Sequence, residues 1–291
     1  RNEIWGYPQD NLPGSRNLMC EHFLHDGGSL FIAVAMGGAA GRGRPEDASF
    51  VGFSYGFVGV KDKSIAFNRT DNLRFYSQYT GVRKEHRGAG LGVAIKEFQR
   101  EAVRRLFGID AITCTYDPLT GVNARRNIHH FGMAVEGYRV STYGEYGGLL
   151  NRLDVPSDRF FMAWDLKRPT APAGPSWAAD FSERRCVVAC REEVVAGRSG
   201  PLEVEVLTGV EVEPGEETVF ARIPRDFYAM LRETDVDRPE IREIPVGWRA
   251  GTRRLFLALL ADGYVVADFF CRPGARLENY YVLRRTGAGQ P

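Results

Sequence analysis

Long apolar runs are missing from this 291-residue chain. The longest, residues 30–36 and 255–261, hold seven residues each, against roughly 20 for a helix that spans a bilayer, so no membrane partner is expected. Excess charge of one sign is missing too. Lys and Arg total 38 and Asp and Glu 37, a formal net charge of +1, which leaves no global field to draw nucleic acid. Cysteine is scarce and unpatterned: Cys20, Cys114, Cys186, Cys190 and Cys271 are odd in number and match no zinc spacing. Free thiols in a reducing cytoplasm are the expectation. Of the histidines, His129 and His130 form the one adjacent pair, and neighbours on a helix point apart, so no metal site is expected. No signal-peptide pattern is read at the start, where residue 1 is Arg rather than Met.

What is present is an ordinary globular composition, 44% hydrophobic and 26% charged. The length predicts two domains. "KRPTAPAGPSWAA", residues 167–179, spreads Pro169, Pro172 and Pro175 among Ala and Gly and reads as a linker. The expected boundaries are 1–168, a linker at 169–179, and 180–291. Ahead of the linker the pattern reads as helix ends at 3–6 and 18–25, then strands at 29–36 and 49–58 around a hairpin loop at 37–47. A strand at 73–82, a helix from 91 to 107, a strand at 111–117, a short helix at 120–133 and a strand at 157–166 follow. This mixture predicts an α+β (α/β-like) fold, a central mixed β-sheet flanked by helices. Beyond the linker, strands at 201–207, 218–223, 264–270 and 279–285 and helices at 225–234 and 247–263 predict a smaller α+β domain. Its helix–glycine–strand order echoes residues 91–116, which reads as a degenerate repeat lacking a glycine loop.

The most informative stretch is "VRKEHRGAGLG", residues 82–92, with three glycines in its last five positions. It follows a strand and opens a helix whose Leu91, Ala94, Ile95, Phe98, Ala102 and Leu106 recur at spacings of three and four. Lys96, Glu97, Arg100, Glu101, Arg104 and Arg105 are expected on the opposite face. The first N–H groups of a helix lack internal partners, and glycine lets a ligand approach the backbone. Together with the helix dipole they form a phosphate site. A P-loop is excluded, since Val93 and Ala94 follow Gly92 where Lys and Ser or Thr are needed. The dinucleotide pattern G-x-G-x-x-G also fails, ending on Val93 or Ile95.

The pattern that fits is R-x-x-G-x-G, Arg87 to Gly92, and it resembles the acyl-CoA loop of GNAT acyltransferases. "EIWG", "YDPLTGVNARRNIHHFGM", "YRVSTYG", "LNRLDVPSDRFFMAW" and "WRAGTRRLFLALLADGYVVADFF" extend the resemblance over almost the whole chain, to a subgroup of bacterial and archaeal predicted acyltransferases with an appended C-terminal region. The resemblance implies a GNAT fold whose first strand is absent from this sequence. It implies acetyl-CoA or succinyl-CoA as cofactor, held by Val82, Arg87, Gly88, Ala89, Gly90, Leu91 and Gly92. Arg83 and Lys84 read either as further phosphate contacts or, with more weight, as a solvated basic loop. The sequence departs from the family where Lys84 stands for a proline, and where the helix "NARRNIHHF" lacks the tyrosine that many members use as general acid.

Acyl transfer to an amine needs a neutral nucleophile, a stabilised oxyanion and a protonated leaving thiolate. An amine of pKa ~10.4 is neutral in roughly one molecule in a thousand at pH 7, a cost of about 4–5 kcal/mol. Juxtaposing the reactants can contribute roughly 7–11 kcal/mol, so a cofactor cradle and an amine pocket are the main requirements. The candidates for acid or base are Tyr143, Asp117, His130 and Glu145, in that order. Asn123 and Asn127, four apart on one face, are candidates for the pantetheine amides or the substrate. Arg159 and Arg125 are candidates for a substrate carboxylate. The subgroup's association with N-acyl amino acid metabolism implies a free amino acid as acceptor. Another amine (a protein N-terminus, a polyamine, an antibiotic) and a catalytically silent CoA-binding module are the alternatives. A small-molecule amine is the expected partner, and a homodimer is compatible with the sequence.

Overall fold

The computed structural model describes residues 28–36, 49–65, 69–144, 150–168, 177–274 and 276–286. The helix ends expected at 3–6 and 18–25, the loop at 37–47, Glu145 and most of the linker lie outside them. The elements run β1 (Ser29–Met36), β2 (Ser49–Val60), β3 (Leu73–Val82), α1 (Leu91–Phe107), β4 (Ala111–Tyr116) and α2 (Gly121–Ala124), which passes into a π-helical turn at Arg125–His130. Then come β5 (Ala134–Arg139), β6 (Arg159–Asp165), α3 (Trp177–Asp180), β7 (Val188–Gly197), β8 (Gly200–Val210) and β9 (Thr218–Ile223). The chain continues with α4 (Phe227–Glu233), α5 (Pro239–Arg242), α6 (Ile244–Ala261), β10 (Tyr264–Arg272) and β11 (Glu278–Arg285).

Six strands hydrogen-bond in the order β1-β2-β3-β4-β6-β5. β1 pairs antiparallel with β2 and β2 with β3, whereas β3 and β4 are parallel, with Phe75 opposite Ile112. A mixed sheet with flanking helices is the expected class. Parallel neighbours need a crossover, and α1 supplies it. The ladder of β2 on β3 is irregular between Tyr55 and Gly56. A β-carbon at Gly56 would overlap the Phe75 ring and the Tyr76 carbonyl, so glycine is what lets the strands close there.

By contacts the chain groups into two units, Arg1–Cys114 with Ala163–Pro169, and Thr115–Met162 with Thr170–Pro291. The sequence instead places its boundary at 169–179. In the first unit α1 buries Ile95, Lys96, Gln99, Ala102 and Val103. This corrects the expected apolar face: Phe98 and Leu106 are 55% and 57% exposed, and Lys96, expected outside, is 3% exposed. Polar partners on the sheet explain the rotation. Lys96 Nζ donates to Ser77 Oγ at 2.6 Å and to Gln99 Oε1 at 3.1 Å, and Gln99 Nε2 donates to Ser54 Oγ at 3.0 Å. Buried polar groups are tolerated when bonded in this way. Gly108 ends the helix in the left-handed region, its N–H on Arg104 O at 3.1 Å, as a C-cap glycine does.

In the second unit Tyr138, Phe160, Phe256 and Tyr281 stack and meet edge to face at centroid distances of 4.9–6.0 Å. Tyr281 Oη donates to Pro118 O at 2.7 Å. Residues on both sides of the expected linker therefore share this core. β10, β11 and β9 form a three-stranded antiparallel sheet in that order, and β7 and β8 form a hairpin. α6 lies on β8, where a methyl on Gly251 would overlap Leu207. The repeat suggested by the helix–glycine–strand order differs in pairing. β3 and β4, which flank α1, are hydrogen-bonded neighbours, but β9 and β10, which flank α4 to α6, are separated by β11. Strands β5 and β7 had no counterpart in the sequence reading.

Candidate functional site

In the first unit, β3 ends at Val82 and the chain turns outward. Arg83 N–H donates to Val51 O at 2.9 Å, a 3-10 turn covers Lys84–His86, and Arg87 Nε donates to Val82 O at 3.1 Å. Gly88 and Gly90 have φ of 85° and 77°, the left-handed region that side chains disfavour. A β-carbon at either would meet nothing within 4 Å. Backbone conformation, not crowding, therefore requires glycine here, and the outer face of the loop is open. Gly90 is the N-cap of α1, and its carbonyl accepts from Val93 and Ala94 at 2.9 and 3.1 Å. Among the described residues the amides of Gly88, Ala89 and Gly90 donate to no backbone carbonyl, and those of Leu91 and Gly92 fall in the first turn, where no internal acceptor exists. The loop thus presents N–H groups at the positive end of a 17-residue helix. This donor set fits a diphosphate. Arg87 Nε is engaged by Val82 O, which leaves its two terminal NH2 groups on the exposed side chain for an anion.

In the second unit, Asp117 follows β4 and is 3% exposed. Its Oδ1 accepts from Leu119 N–H at 2.9 Å, closing the Asp-Pro turn. Its Oδ2 pairs with Arg249 and lies 3.5 Å from Arg159 Nη1. Asp117 is thus buried, with both oxygens engaged. Asp158 is its counterpart. It accepts from Arg253 Nε and Nη2 at 2.7 and 2.8 Å, Tyr138 Oη at 2.7 Å and Ser141 N–H at 2.9 Å. Burial alone would raise the Asp158 carboxyl, but these hydrogen bonds, Arg253 first, outweigh it and hold the group below the usual carboxylate range. Burial, followed by the neighbouring Asp158 charge, pushes the Tyr138 phenol well above its ordinary value against the opposing Arg249.

Tyr143 sits on this cluster's edge. It is 48% exposed, its Oη lies 2.6 Å from Thr115 Oγ1, and Arg159 lies 5.3 Å from its ring centre. Ser157 Oγ accepts the Tyr143 N–H at 3.0 Å and donates to Gly144 O at 3.0 Å, fixing the backbone on either side. Arg159, a candidate for a substrate carboxylate, instead donates to Asp158 O at 2.7 Å beside Asp117 and is 8% exposed. Asn123 and Asn127 do share a face, joined by Arg126, whose Nη2 and Nε donate to their side-chain oxygens at 2.9 and 3.2 Å. Arg125 is exposed and close enough to Cys271 to oppose the upward effect of burial on that thiol. His130 is exposed, its ring against Phe131 at 4.7 Å. The structure therefore gathers Tyr143, Asp117 and Arg159. The sequence reading missed Arg249 and Arg253. The available signal was Arg249 and Arg253, four apart in a helix that also carries Arg254, a spacing that aims the first two the same way.

No protein-family model matches the chain, and no curated protein does. Solved structures do show a likeness. Arabidopsis thaliana NAA60 in complex with acetyl-CoA is 9% identical, covering 49% of this chain and 78% of that one, with a TM-score of 0.37. The spermidine/spermine N-acetyltransferase SpeG from Vibrio cholerae is 12% identical over 53% of this chain and 76% of that one, also at 0.37. Chaetomium thermophilum Naa20 in complex with a bisubstrate analogue is 17% identical over 42% and 62%, at 0.33. Among the described residues no helix is long and apolar enough to cross a membrane, and no group of His, Cys, Asp and Glu is placed to hold a metal ion.

Proposed function

We propose that this chain is an acyl-CoA-dependent N-acyltransferase of GNAT type, moving an acetyl or succinyl group to the amino group of a small molecule, a free amino acid in the first instance. The observation that carries the reading is the loop from Arg87 to Gly92. It follows a central strand, holds two left-handed glycines, is open on its outer face and ends in the N-terminus of a long helix. Coenzyme A, when bound, supplies the activated acyl thioester. The amides of Gly88 to Gly92 bind its diphosphate, and Arg87, through Val82 O, holds the loop against the strand end. Tyr143, 48% exposed with its Oη hydrogen-bonded to Thr115 Oγ1, is the proposed proton donor to the leaving thiolate. Asp117 and Asp158 act as positioning residues, since their oxygens are occupied by arginines and backbone N–H groups. The proposed setting is the cytoplasm, with free thiols at Cys114, Cys186, Cys190 and Cys271.

The test is thiol release from acetyl-CoA and succinyl-CoA across free amino acids, polyamines and peptides with free N-termini. Turnover with amino acids supports the proposal. Turnover confined to the other amines replaces the acceptor, and CoA binding without turnover replaces the enzyme with a binding module.

A further inference from the structure

A cleft of about 310 Å³ opens in the second unit where the β7–β8 turn meets the end of α4. Its lining includes Asn151, Arg152, Arg198, Arg232, Glu233 and Asp235. The inner layer is already balanced. Arg152, 7% exposed, donates through Nε to Asp154 at 2.6 Å and through Nη1 to Thr234 Oγ1 at 3.0 Å. Arg242 holds the other oxygen of Asp154 at 2.9 Å and Asp235 Oδ1 at 2.8 Å. Glu233 Oε2 accepts from Ser199 N–H at 3.0 Å. Arg198 and Arg232 are exposed, and among the described residues neither forms an ion pair. The group of Arg152, Arg198, Arg232 and Arg242 against Asp154, Glu233 and Asp235 carries one surplus positive charge. In addition, among the described residues Asn151 Nδ2 is buried with no acceptor.

The cleft therefore presents two kinds of unmet demand. Arg198, Arg232 and the Asn151 amide are donors awaiting an anion, and guanidinium suits a carboxylate. The second oxygens of Glu233 and Asp235 are acceptors suited to an ammonium. A simple anion would face those two carboxylates, and a simple amine would face the arginines. A molecule carrying both charges a few bonds apart satisfies both sets, and the volume suits a small molecule. We propose that this cleft binds a free α-amino acid through its carboxylate and its ammonium together. The inference names a binding site and stands independently of the acyl-transfer reading.

The experiment is a thermal-shift screen of the full chain against the twenty common amino acids, with sodium acetate and ethylamine as single-charge probes, followed by calorimetric titration. At least one amino acid is expected to bind, more tightly than acetate or ethylamine. Replacing both exposed arginines, Arg198→Ala with Arg232→Ala, is expected to weaken it about tenfold or more with an unchanged circular dichroism spectrum. Glu233→Gln is expected to weaken the amino acid more than acetate. No binding by any amino acid overturns the proposal, as does unchanged affinity in the double variant. Acetate binding as tightly as the amino acid overturns it as well.

Discussion

Gly90 and Tyr143 carry different parts of the proposed chemistry, and each can be tested alone. Gly90→Val forces a β-branched residue to a φ of 77°, at a cost of roughly 1–2 kcal/mol, but its β-carbon meets no neighbour. The expected result is a melting temperature lower by only a few degrees, about 2–4 °C per kcal/mol, with CoA affinity lost in calorimetry because the loop amides turn away. Undiminished CoA binding would remove the loop from the cofactor site. Tyr143→Phe removes the hydroxyl bonded to Thr115 and leaves the exposed ring in place. A general acid contributes roughly 10²–10⁴-fold, so kcat in the thiol-release assay is expected to fall by that order while the melting temperature holds. A fall in stability with unchanged kcat would make Tyr143 a packing residue.

At the scale of elements, α6 is tied to the β4 end and the β6 start by two arginine–carboxylate pairs, Arg249 with Asp117 and Arg253 with Asp158. Arg249 is 1% exposed, and neutralising Asp117 removes the one carboxylate among the described residues that it pairs with directly. Breaking such a pair from one side costs about 3–5 kcal/mol, whereas replacing both partners with apolar groups is often close to neutral. Asp117→Asn is therefore expected to lower stability in urea unfolding by about that amount, and adding Arg249→Met is expected to recover much of it. An additive double variant would show that the pair does not act as a unit. Asp158 makes the same connection depend on pH. Its folded pKa is depressed, so its contribution is fully present above the ordinary carboxylate value of about 3.9 and is lost as pH falls through the lower folded value. Melting temperature followed from about pH 6 to 3 should show a shallower acid limb in Asp158→Asn than in the parent chain.

At the scale of the whole molecule, the second unit recruits residues from both sides of the Pro-rich segment, as the contacts of Tyr138 and Phe160 with Phe256 and Tyr281 show. A fragment of residues 1–168 loses those partners and Arg249 together. It is expected to bind a hydrophobic dye and to lack a cooperative thermal transition, whereas a self-sufficient N-terminal domain would melt cooperatively. The glycine loop was legible because it is local: three glycines, a preceding strand and a following periodic helix lie within one short window. Most strands were legible for the same reason, through β-branched and aromatic runs bounded by turns. β5, "AVEGYR", and β7, "VACREEVVAG", were not, because their charged residues and glycines mask alternation. The face of α1 was misread because Lys96 and Gln99 count as polar in a pattern but find hydroxyl partners on the sheet. The sequence by itself determined the open glycine loop at the mouth of α1, since backbone conformation and helix polarity follow from neighbouring residues alone. Only the tertiary structure decided which charged groups are spent. Asp117, Asp158 and Arg159 are taken up by partners far along the chain, while Arg198 and Arg232 face a cleft, and no local pattern records which distant charge comes to rest beside another.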